Sequence, residues 1–297
     1  MISAYYGELA ALLVAVFWTV TALAFEVATR QIGSMSVNII RLLFGFVFLS
    51  VFTYISRGHF LPVDASGHAW LWLSLSGLVG FVFGDYFLFA SYSLISSRIS
   101  MLIMTFVPPV TAFLGWIILG ERMILKHIFA MTIILVGIGL TIFSRTDENK
   151  IKLKYPFKGI LFAFIGVLGQ AVGLILSKVG MGDYSPFAST QIRIIAGIMG
   201  FGVLIVLSGR TMSVINAFRN PVALKALGIG SFFGPFLGVS FSLLAIQYTT
   251  TGIASTLMSI VPILILAPAA FLFKHKLGWY DFVGAIISVA GVVMFFV

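Results

Sequence analysis

The chain has 297 residues, 60% hydrophobic and only 9% charged, with a mean hydropathy of +1.14 and a formal net charge of +9. Soluble domains carry about 25% charged residues, so this composition excludes a soluble enzyme. The absence of cysteine excludes a disulfide-stapled secreted domain and a Cys-ligated zinc protein.

A hydrocarbon core of roughly 30 Å is crossed by about 20 apolar residues of helix. Ten such runs follow one another, at 6–27, 36–55, 69–91, 99–119, 126–143, 159–177, 187–207, 223–246, 252–273 and 280–297. The first lacks a basic flank and reads as a retained helix, not a cleaved signal. The expected fold is therefore an all-α integral membrane protein. The connections are short, and the longest polar one gives a basic cytoplasmic linker at 146–158 between units 1–145 and 159–297. Loops on the side away from the termini carry 12 of the 18 Lys and Arg residues; the termini side carries four, Arg57, Arg122, Lys126 and Lys178. Basic residues beside spans mark the cytoplasmic face. Both termini are thus expected outside, in a cell membrane, and the basic excess needs no nucleic-acid partner.

The two units repeat. A shift of 152 residues lays Gly7 on Gly159, Arg41 on Arg193 and Gly45 on Gly197; a shift of 154 then lays Gly80 and Gly84 on Gly234 and Gly238, Pro108 on Pro262, and Gly137 on Gly291. Each unit holds five spans. Five is odd, so the second unit enters the membrane upside down, and the prediction is ten transmembrane helices as two inverted five-helix repeats. Such repeats form two similar gates around one central site.

Residues Ile99 to Met123 read ISMLIMTFVPPVTAFLGWIILGERM, with a mid-span proline, a small-residue face and a terminal Gly120-Glu121; KHIFAMTIILVGIGL follows. These segments resemble the fourth and fifth spans of EamA-type transporters of the drug/metabolite transporter superfamily, and the layout resembles that family over the whole chain. The second copy keeps Pro262 but has Lys274-His275 in place of Gly-Glu. The resemblance implies secondary transport of small metabolites, often export of amino acids or related compounds. Many relatives have both termini inside, whereas the charges here place them outside. The small multidrug relatives carry a central carboxylate in their first span; Glu8 and Glu26 sit at its two ends here, which argues against that form of cation/proton exchange.

Ionisable residues within spans cost about 2.5–3.5 kcal/mol at the bilayer centre on insertion scales and are functional candidates. Arg41, Asp85 and Arg193 are such residues, and Glu26 closes the first span. Arg41 lies about 9 Å into its span at 1.5 Å per residue, from the same side as Asp85 and Glu26, so the three are expected in one network near the cytoplasmic mouth. In the functional reading Arg41 and Arg193 stand at the two ends of a pathway and attract a carboxylate, which suits the planar guanidinium fork. Asp85 and Glu26 then act in gating or coupling. In the structural reading Asp85 neutralises Arg41 and Arg193 snorkels to the headgroups.

Trp18 and Gln170 occupy matching centres of the first and sixth spans, where they could stack on and hydrogen-bond a substrate or pack between helices. Asn38 and Gln191 flank the arginines and extend the polar lining. Pro108 and Pro262 interrupt the fourth and ninth spans near the midplane, as hinges or as static kinks. No phosphate-cradling GxxxxGK[ST] sequence is present. The four histidines, at 59, 68, 127 and 275, lie in loops without metal-ligand spacing, so no metal, cofactor or enzymatic reaction is expected.

The expected function is secondary active transport, as an exporter, of a small organic metabolite such as an amino acid or another carboxylate. A proton is the candidate coupling ion, the lipid bilayer is the surroundings, and the protein is a monomer or homodimer. The alternatives are transport of neutral or cationic compounds and, from another class, a lipid scramblase or an integral membrane enzyme.

Overall fold

The computed structural model describes residues 5–143, 156–265, 268 and 279–296. All but the last residues of the expected linker lie outside these, as do Lys274, His275 and the final Val297.

Helix α1, Tyr6–Arg57, has 52 residues and would be about 78 Å long if straight. Instead it folds back at Gly33, whose φ of 76° and ψ of 158° are open essentially to glycine alone. The Phe25 ring lies 5.8 Å from the Arg41 guanidinium, although a straight helix would hold them about 24 Å apart. The expected spans 6–27 and 36–55 are the two arms of this hairpin.

Helix α2 (Gly67–Gly77) runs through a π-helical segment (Leu78–Asp85) into α3 (Tyr86–Ile103). A 3-10 turn at Met104–Phe106 leads into α4 (Val107–Leu119), and α5 is Leu125–Phe143. Next come α6 (Phe157–Met181), α7 (Pro186–Leu207) and the short α8 (Thr211–Ala217). Helix α9 (Pro221–Ser231) passes through a second π-helical segment (Phe232–Gly238) into α10 (Val239–Tyr248). Last are α11 (Thr251–Met258), α12 (Val261–Leu264) and α13 (Trp279–Val293). Among the described residues, six helical runs are long and apolar enough to cross a membrane, and three shorter apolar stretches accompany them. The expected span 252–273 is divided: α11 ends at Met258 and α12 restarts beside Pro262. Pro108 sits in the same way in the first turn of α4, where a missing N–H costs no helical hydrogen bond.

The outer faces are apolar, with Leu71, Ile117, Val203 and Leu207 all exposed. Small and hydroxyl residues face inward, an arrangement suited to packing in lipid. Ser76 Oγ donates to the Gly173 carbonyl at 2.6 Å, and the hydroxyls of Thr111 and Ser255 meet at 2.5 Å. Glycines set the closest crossings. A Cβ on Gly173 would lie 3.0 Å from the Gly80 Cα, and one on Gly84 would lie 3.1 Å from the Gly169 carbonyl carbon, so the first π segment and α6 touch backbone to backbone. Across the molecule, Gly230, Gly234 and Gly238 leave space that Phe25, Thr21 and Trp18 fill. At the periphery α5 packs on α13, Gly291 lying against Ile134 and Ala130. The α1 hairpin, both π segments and α6 thereby line a central cavity.

Candidate functional site

The cavity has a volume of about 120 Å³. Six of the expected residues line it: Trp18, Arg41, Asp85, Gln170, Arg193 and Pro262. Arg41, Asp85 and Arg193 are its charged members.

Arg41 and Asp85 form a buried pair, Nη2 to Oδ2 at 2.5 Å, with side chains 3% and 9% exposed. Arg41 Nε also donates to Asn38 Oδ1 at 3.0 Å, and Asn38 Nδ2 donates to the carbonyls of Ser34 and Asp85. The other Asp85 oxygen accepts from Gln170 Nε2 at 2.5 Å; the same amide reaches the Gly80 carbonyl at 3.3 Å. Asp85 ends the first π segment. Such a wide turn shifts the register of the side chains that follow it and is frequent at functional sites.

Aromatic rings pack against both guanidinium groups. The Arg41 Cζ lies 4.8 Å from the Phe89 centroid and 5.4 Å from that of Phe81; the Arg193 Cζ lies 4.8 Å from Phe81. Both charges thus flank one ring and stand within about 10 Å of each other, a range at which unit charges interact strongly away from water. Arg193 is 4% exposed, its Nε has no hydrogen-bond partner, and no protein acceptor pairs with its guanidinium among the described residues. Gly80 makes room for it: a Cβ there would lie 3.2 Å from Nη2. This differs from the expectation of arginines at opposite ends of a pathway. Depth counted along each helix ignores the reach of a long side chain and the tight glycine crossings that draw α2, α6 and α7 together.

Four other expected residues stand outside the cavity lining. Asn38 is buried and positions Arg41 and Asp85. Gln191 is fully buried and donates to Ser50 Oγ at 2.9 Å and the Phe60 carbonyl at 2.6 Å. Pro108 is buried in α4. Glu26 does not join Arg41; it accepts from Arg30 at 2.8 Å and from the Ser97 N–H and hydroxyl. One helical turn of backbone holds Arg30 beside Glu26, whereas Arg41 turns inward to Asp85.

A matching cluster stands at the other end of the bundle. Glu121 accepts from the Thr251 N–H and hydroxyl at 2.8 and 2.6 Å. Thr251 is where the 154-residue shift places Ser97. Lys178, which replaces Glu26 under the 152-residue shift, donates to Glu121 at 2.6 Å and to the Thr249 carbonyl at 2.9 Å. Thr249 Oγ in turn donates to Glu8 at 2.8 Å. The carboxylate that holds the start of α11 therefore comes from Glu121, because the second-unit position equivalent to Glu26 carries a cation. The signal was present in the Glu26-to-Lys178 exchange and in Gly120-Glu121, but the partners are remote in sequence. The rings around the arginines carried no signal in a chain with 30 phenylalanines.

The model of the EamA-like transporter family matches residues 5–143 and 157–297. The chain is 22% identical over 222 residues to the uncharacterized membrane protein YMR253C of Saccharomyces cerevisiae, covering 68% of this chain and 52% of that protein. It is 30% identical over 145 residues to the uncharacterized transporter YoaV of Bacillus subtilis, covering 48% of each. The chain spans about half the length of these curated relatives. A solved crystal structure superposes with a TM-score of 0.70 at 16% identity, over 97% of this chain and 96% of that one, which is a likeness of fold.

Proposed function

The chain belongs to the EamA-like transporter family, and from that premise we propose that it is a secondary active transporter of small organic carboxylates. The cavity between the two units is its substrate site. The observation that carries this reading is Arg193, a buried cation with no hydrogen-bond acceptor among the described residues, on the wall of a ring-lined cavity. A buried charge of that kind is expensive unless something pairs with it. A substrate carboxylate would supply the missing acceptors.

Two inverted five-span units working by alternating access fit several features. The family model matches each half, the two π segments fall at positions related by the 154-residue shift, and equivalent carboxylate clusters stand at the two ends. In this reading Glu26–Ser97 and Glu121–Lys178–Thr251 are the closures of the two gates. The breaks at Pro108 and Pro262 let α4 and α11–α12 pivot. The termini lie outside, net flux is outward, and Asp85 is the site at which a coupling proton would act.

The test is solute flux in liposomes containing the purified protein, assayed with labelled amino acids and organic acids. Saturable flux of at least one carboxylate is expected, and Trp18→Ala should reduce it several-fold. Exchange of fluorescent lipid between leaflets without solute flux would overturn the reading in favour of a scramblase.

A further inference from the structure

Among the cavity-lining residues the formal charges are Arg41, Arg193 and Asp85. Both Asp85 oxygens are taken, one by Arg41 and one by Gln170. Arg41 donates in turn from Nη2 to Asp85, which balances its charge, and from Nε to Asn38, and rings pack against its guanidinium. One positive charge, that of Arg193, is left over. We infer that the site selects monoanions: solutes with a single carboxylate and an apolar body, in preference to zwitterionic amino acids, dicarboxylates, neutral amides and amines. This rests on the reading of the cavity as the substrate site and narrows its substrate class.

Each exclusion has a physical cause. A monoanion brings the cavity to neutrality, and its carboxylate can accept from the free edge of Arg193 as a charge-assisted pair. Tyr92 lines the same space, and its buried hydroxyl has no partner among the described residues. The apolar body meets Trp18, Phe25 and Phe81. The ammonium of an amino acid would need a free carboxylate, and the cavity's one carboxylate is occupied on both oxygens. A second carboxylate would be buried with no unbalanced cation to receive it, since Asp85 already offsets the Arg41 charge. A neutral amide or an amine would leave Arg193 unpaired or face it with a like charge.

The experiment is thermal unfolding of the purified full chain in detergent with five matched probes. They are 3-phenylpropionate, phenylalanine, phenylsuccinate, 3-phenylpropanamide and 3-phenylpropylamine. The expected result is a concentration-dependent rise in the unfolding midpoint with 3-phenylpropionate and little or none with the others, because a ligand that binds only the folded state raises apparent stability. Arg193→Gln should weaken 3-phenylpropionate binding by about 10–100-fold, the usual worth of a hydrogen bond to a charged group. Arg193→Lys, which keeps the charge but loses the fork, should fall between. Equal or larger stabilisation by phenylalanine, the dianion or the amide overturns the charge selection and leaves the transporter reading standing. So does binding of 3-phenylpropionate that is unchanged in Arg193→Gln. If none of the five stabilises the protein, the charge selection fails; if no solute crosses liposomes either, the substrate-site reading fails with it.

Discussion

Asp85→Ala is expected to destabilise the protein by about 3–5 kcal/mol, the usual cost of removing one partner of a buried ion pair. The pair is 3% and 9% exposed, so the partners left behind have little contact with solvent. Three groups are affected. Arg41 loses its counter-ion, the Gln170 amide loses an acceptor, and the Arg193 charge across Phe81 is no longer offset. The pair itself is replaceable: Arg41→Met with Asp85→Leu should recover most of the stability, because an apolar pair removes both desolvation penalties. Unfolding midpoints of the two single variants and the double variant in detergent check this. A neutral Asp85→Ala, or a double variant no more stable than the singles, would show that the pair is not what stabilises this part of the cavity wall.

The second large effect is steric. Gly169→Leu is expected to destabilise by about 3 kcal/mol, the upper range for overpacking, and to abolish flux. The Cα of Gly84 occupies the space where a Gly169 side chain would begin. Backbone cannot rotate away as a side chain can, so α6 and the first π segment must separate. That separation pulls Gln170 and Asp85 apart, because each adjoins one of the touching glycines. Gly169→Ala should show a smaller loss. Gly202→Leu is the control, since nothing lies within 4 Å of a Cβ there. Equal stability of the Gly169 and Gly202 variants would refute the backbone contact.

The charged members of the cavity were legible in the sequence because the membrane makes each one conspicuous: a chain with 9% charged residues does not place Arg41, Asp85 and Arg193 inside apolar runs without cause. Trp18 and Gln170 were legible through the repeat, which marks matching span centres. The convergence of the two arginines on Phe81 was not. It depends on side-chain reach, on glycine crossings a fraction of an ångström from collision, and on a π segment whose register shift leaves no mark in hydropathy. Gln191 misled for a related reason. Its neighbour Arg193 faces the cavity, but two residues along a helix turn a side chain by about 200°, and Gln191 holds the Phe60 loop instead. The fold back at Gly33 was foreshadowed only by a polar gap between two apolar runs.

The most direct test of alternating access uses the absence of cysteine from the natural sequence. Ser259→Cys places a single thiol on the cavity wall, where a membrane-impermeant maleimide can be applied to either face of oriented vesicles. Glu121→Gln in that background removes the counter-charge of Lys178 and weakens the hold on Thr251. Labelling from the Glu121 side should then rise several-fold while labelling from the Glu26 side falls. Labelling that rises from both faces, or does not change from either, would contradict a carrier whose two gates open in turn around one central site.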